Sequence, residues 1–211
     1  MPSIEQARGW YDEKDPVHGF DHVLRVRRLA ERLGQELGAD VEILRAAALL
    51  HDASGAHPGG SEGRHQHQES SADFAQAVLQ GEDWPADRIQ AVVDCIRAHR
   101  FRSQNQPRSL EAQILFDADK LDVMGAFGAA RTIGYALQAG EPVYAEPSDR
   151  FLESGQAEPG EPHSAYHEYL FKLRRVHERL LTEPARRLGE RRHQVLTAFF
   201  EQMAAEARGE A

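Results

Sequence analysis

Two histidines and two aspartates stand where one divalent cation could take them all. The apolar run 46–50 delivers His51 and Asp52 to its own last turn before the chain breaks at Ser54 and Gly55. Consecutive helical residues point about 100° apart, so two adjacent side chains can flank one point in space. Leu44, Ala47, Ala48 and His51 keep helical spacing, which puts the imidazole on the buried face. A buried imidazole needs a partner, and either a backbone carbonyl or an ion would serve. His22 falls in the first turn of another helix, one position off its apolar stripe, where it can look into a groove beside the core. Further on, Asp117 and Asp119 lie within an apolar helix, and carboxylates placed so deep need a cation. His22, His51, Asp52 and Asp119 make a mixed nitrogen and oxygen set that leaves room for waters. Such a set suits an octahedral divalent ion such as Mn, Mg, Fe, Co or Ni.

The elements that must position these residues read as helices throughout, with no strand alternation and no internal repeat. Residues 2–12 are expected to form a short opening helix with Ile4, Ala7 and Tyr11 on one side. The stripe Val23, Val26, Ala30, Leu33, Leu37 marks a second helix, ended by Gly38, and Asp40 caps the next. The Gly- and Pro-rich loop 57–61 is a candidate lid beside His51 and Asp52. A helix over 64–79 sets His67, Ser71, Phe74 and Val78 on one face, and another carries Ile89, Val92, Ile96 and His99. Three helices thus begin or end an apolar stripe with histidine. The segment 110–122 places Leu115, Asp119 and Asp122 on one face and Ile114, Asp117 and Leu121 on another. Small residues follow to Arg131, then an irregular excursion over 141–161 and two closing helices that look like cover rather than chemistry. His163, His167, His177 and His193 show no partner pattern.

Composition bounds the answer. A chain of 211 residues with 41% hydrophobic content is expected to form one domain, 1–211, with a sizeable core. No apolar run approaches the length of a membrane span, and the N-terminus has no basic start followed by an apolar core. Cys95 is the sole cysteine, so an internal disulfide and a thiolate metal cage are both excluded, which fits a reducing cytoplasm. A formal charge of −9 argues against nucleic acid as a partner. A monomer and a homodimer are both compatible with the sequence.

The ordered pattern H…HD…D, with "HGFDHVLRV", "AALLHD" and "DADKLDVMGAFGAAR", resembles the HD superfamily of metal-dependent phosphohydrolases, and among them small bacterial proteins that act on nucleotides. The resemblance covers a motif core over 18–131 and extends more weakly through a helical cover over 162–211. It implies an all-α HD-domain fold. It also implies His22, His51, Asp52 and Asp119 as ligands of a divalent metal. Asp117 is the rival of Asp119, which is preferred because related motifs use the aspartate directly before a basic residue, here Lys120. Asp117 would then orient an imidazole or cap a backbone. Some HD families hold a second metal with further histidines, so His67 and His99 are open to that role. The preferred expectation is a single ion, with Asp52 orienting the attacking water and His67 or His99 stabilising charge or protonating the leaving oxygen. His18, Lys120, Asp122 and Arg131 would contact the substrate.

The reaction implied is hydrolysis of a small phosphorylated substrate, a nucleotide, with a (d)NTP cleaved to (d)NMP and pyrophosphate. A nucleoside monophosphatase and a cyclic-nucleotide phosphodiesterase share the same metal logic, and a sensing module that binds nucleotide without turnover is the alternative of another class.

Overall fold

The computed structural model describes residues 1–11, 19–54, 67–99 and 106–211. Among them there are helices and turns and no strand, so the all-α expectation holds. The chain divides into two compact units, Met1–Asp119 with Leu181–Ala185, and Lys120–Leu180 with Arg186–Ala211.

The first unit opens with α1, Ile4–Arg8, shorter than the sequence suggests. Ser3 and Gln6 cap each other's backbone at its start, and the helix closes at Gly9. The apolar period outlasts the helix, because Tyr11 is still buried against Ala7. Next come α2, Phe20–Leu37, and α3, Val41–Leu50. Gly38, at φ 72°, takes the left-handed turn that ends α2. A Cβ added to Gly34 would lie 2.4 Å from a Leu44 methyl, so this glycine is what lets α2 and α3 approach so closely. Then follow α4, His67–Gly81, α5, Ala86–Ala98, and α6, Leu110–Asp122, of which residues 110–119 belong to this unit.

The third helix is the hub: α1, α2, α4 and α5 all pack on it, and every residue from Ala46 to Leu50 is buried. Alanines at 46–48 keep it thin enough for neighbours on several sides, while Leu44, Leu49 and Leu50 each contribute about 1.5–3 kcal/mol by burial. Its start is fixed as firmly. The Asp40 carboxylate accepts from the Glu42 and Ile43 amides and from both Arg88 terminal nitrogens, and the Asp40 amide donates to Glu111 at 3.0 Å.

In the second unit, α7 is Gly125–Gln138 and packs on α9, Ala165–Phe171. The excursion over 141–161 contains a helix the sequence did not announce, α8, Asp149–Ser154, capped by Ser148 and closed by Gly155. Six residues with Phe151 alone buried give no readable period. The first expected closing helix is two pieces, α9 and a 3-10 helix over Leu173–Arg179, because Lys172 leaves helical geometry at φ −126°. Leu173 and Val176, three apart, stay buried in the tighter coil. The last helix, α10, is Glu183–Arg208, and its Phe200 stacks on Tyr169 at 4.7 Å. No helix among the described residues is long and apolar enough to cross a membrane.

Candidate metal centre

His51 ends α3 and turns its ring back on that helix. Its Nδ1 lies 2.8 Å from the Ala48 carbonyl, and since a carbonyl only accepts, Nδ1 carries the proton. One of the helix's leftover carbonyls is thereby satisfied, and Nε2 is left facing the other side chains of the cluster. The sequence left a carbonyl and an ion open as partners for His51. The carbonyl takes one ring nitrogen, and the other faces His22 Nε2 at 3.3 Å. His99, at the end of α5, repeats the device, with Nδ1 donating to the Ile96 carbonyl. Its Nε2 is 3.4 Å from Asp52 Oδ1.

Around the two facing Nε2 atoms stand two carboxylates. Asp52 Oδ2 is 3.4 Å from His51 Nε2 and 3.8 Å from His22 Nε2, and Asp119 Oδ1 is 3.4 Å from His22 Nε2. Donor atoms of His22, His51 and Asp119 all lie within 4.8 Å of one another. Neighbouring ligands on an octahedral ion with bonds of about 2.1 Å sit about 3 Å apart, so these residues fit one divalent ion after slight contraction. Burial penalises the Asp52 charge. The positive charges and hydrogen bonding of His51, His99 and His22 outweigh that penalty and hold its carboxyl well below the usual carboxylate range. Exposure rises from 0% at His51 to 15% at Asp119, so the group opens on the Asp119 side.

The turn behind the histidine and aspartate is pinned twice. Tyr11 donates its hydroxyl to the Leu49 carbonyl at 2.9 Å, and Ser71 both accepts from the Ser54 amide at 3.2 Å and donates to the Ser54 carbonyl at 3.1 Å. Burial, then the Asp52 charge, pushes the Tyr11 hydroxyl well above its ordinary pKa, so it stays a donor. The sequence placed both residues on buried stripes, but spacing gave no hint of the backbone each would reach.

Asp117 turns away from this cluster. Its oxygens accept from the Leu181 amide at 2.8 Å, the Thr182 amide at 2.8 Å and the Thr182 hydroxyl at 2.7 Å, which anchors the start of α10. Of the remaining expected residues, His18 and the lid over 57–61 lie outside the described residues, as does the side chain of His67. Lys120, Asp122 and Arg131 belong to the second unit, where Arg131 pairs with buried Asp122 at 2.6 Å.

The four histidines without a sequence pattern also belong to that unit. Stacked rings join His177 and His193 at 3.9 Å. His163 pairs with Glu168 at 3.5 Å, and His167 bridges Ser164 and Glu161.

The family model of the HD domain matches residues 19–124, half of the chain. The chain belongs to the HD domain family. The HD match runs from the residue before α2 to Met124 and so contains His22, His51, Asp52, His99 and Asp119. The motif resemblance is therefore borne out. This HD protein is similar to YpgQ of Bacillus subtilis (strain 168), 29% identical over 211 residues that cover 96% of this chain and 93% of YpgQ. A crystal structure of YpgQ in complex with ADP matches with a TM-score of 0.73 and 25% identity, covering 99% of this chain and 100% of that one. A crystal structure from Lactobacillus plantarum matches with a TM-score of 0.73 and 29% identity, covering 98% and 95%. A third, of a predicted HD superfamily hydrolase from an uncultured Thermotogales bacterium, has a TM-score of 0.62 and 25% identity, covering 96% and 90%.

Proposed function

We propose that this HD protein is a divalent-metal-dependent phosphohydrolase that cleaves nucleoside triphosphates to monophosphate and pyrophosphate. The observation that carries the reading is the convergence of donor atoms of His22, His51 and Asp119, with Asp52 Oδ2 beside both imidazoles and His51 Nδ1 already engaged by its own helix. The complex of YpgQ with ADP supports a nucleotide as the substrate class. Oxygen and imidazole donors without thiolate favour Mn, Mg, Fe, Co or Ni, and such an ion, when bound, polarises a phosphoryl oxygen and acidifies a water.

The chain's own residues do the rest. His22, His51, Asp52 and Asp119 hold the ion. Asp52, ionised despite its burial, also accepts a hydrogen bond from the attacking water and keeps it aligned. His99 holds a proton at Nε2 against Asp52 Oδ1 and steadies that carboxylate. Phosphoryl transfer asks mainly for positioning and charge neutralisation, and a buried, preset ligand group supplies both.

The test is release of pyrophosphate and orthophosphate from a panel of dNTPs and NTPs with Mn, Mg, Co or no metal, for wild type and Asp119→Ala. Metal-dependent pyrophosphate release that disappears in the variant is expected. Orthophosphate from monophosphates, or opening of cyclic nucleotides, in its place would move the reaction to another phosphate bond. Tight nucleotide binding with no product would make the protein a sensor.

A further inference from the structure

Three successive carbonyls at the end of α3 each find a donor, and only one of those donors comes from far away in the chain. Ala48 is met by the His51 ring and Leu50 by the Ala53 amide, both local. Leu49 is met by the hydroxyl of Tyr11, 38 residues earlier. The Tyr11 ring in turn lies 5.7 Å from the ring of Phe20, the first residue of α2 and two before His22. One buried side chain therefore touches both backbone segments that carry the ligands, the end of α3 by a hydrogen bond and the start of α2 by ring packing. Ala7, Val23 and Leu49 complete the cluster around it.

We infer that Tyr11 is a positioning residue for the metal centre, holding the spacing between His22 and the pair His51 and Asp52. The inference rests on the metal-dependent reading above. Core packing alone would ask only for an aromatic ring, and phenylalanine would serve as well. The hydroxyl is what ties the α3 terminus, because without it the buried Leu49 carbonyl loses its tyrosine donor and the last turn is freer to rotate. Groups that orient metal ligands from behind typically govern affinity for the ion by about 10-fold or more.

The experiment titrates Mn2+ into the full chain by calorimetry, alongside thermal denaturation, for wild type, Tyr11→Phe and Ile4→Ala. Ile4 packs on the same cluster with an aliphatic side chain that makes no hydrogen bond, so its variant lowers stability without removing the hydroxyl. Tyr11→Phe is expected to bind Mn2+ about 10-fold more weakly, with pyrophosphate release restored toward wild type as Mn2+ is raised. Ile4→Ala is expected to bind as wild type does at a comparable loss of melting temperature. Wild-type affinity in Tyr11→Phe, or equal weakening in Ile4→Ala, overturns the inference and leaves the proposed function standing. A wild-type chain that binds neither Mn2+ nor another divalent ion overturns both.

Discussion

His51 and His99 are each held by a bond to the carbonyl three residues back in their own helix, so tautomer and ring direction follow from local backbone geometry. The two rings meet edge to face at 5.2 Å, yet their Nε2 atoms have different neighbours. His51 Nε2 faces His22, and His99 Nε2 faces Asp52. Replacement should separate those duties. His99→Gln is expected to bind Mn2+ about 10-fold more weakly, because the Asp52 carboxylate loses its support, and at saturating Mn2+ to turn over about 100-fold more slowly, the usual contribution of a positioned proton-handling group. Undiminished turnover in that variant, with metal bound, would remove His99 from the chemistry.

Amphipathic period made the long helices legible. The stripes of α2, α3 and α5 predicted both their existence and the side on which His22, His51 and His99 lie. Period could not reveal α8, which is too short to repeat, or the change to 3-10 geometry after Lys172, where the buried spacing suits either coil. Nor could it choose between Asp117 and Asp119, because each falls on a face of the helix shared with apolar residues, and the two faces differ only through what comes to meet them. Leu181 and Thr182, more than sixty positions later, meet Asp117. The segment around α8 has its own electrostatic lock in Glu161. The Ser148 and Glu158 amides, then His167, hold that carboxyl down from 4.5 to about 2. A depressed carboxyl stabilises the fold fully above its unfolded value and loses that contribution as pH falls through the folded one. The lock should therefore weaken from about pH 4.5 down to about pH 2. Amide protection across 148–164, taken relative to the intrinsic exchange rate at each pH, is expected to fall in that window, and Glu161→Gln should abolish that fall. An unchanged profile in the variant would assign the effect to another group.

At the level of the whole molecule, the family match and the first compact unit do not end together. The match stops at residue 124, whereas the unit recovers Leu181–Ala185 from beyond the second unit's central segment. That return supplies three hydrogen bonds to Asp117, whose carboxyl is fully buried. Removing the partners of a buried charge costs about 3–5 kcal/mol. A chain ended at residue 131, the limit of the motif core, should accordingly lose its cooperative urea transition or show a much lower midpoint. A midpoint equal to that of the full chain would mean that the carboxylate is compensated some other way. The same connectivity puts a delay into biosynthesis. Asp117 leaves the ribosome 64 residues before Leu181, about 3–13 s at ordinary elongation rates. Throughout that interval the nascent chain already contains all four proposed ligands, yet the helix that bears Asp119 still waits for its anchor. Final assembly of the centre is therefore a late event of translation, although every residue of it is made early.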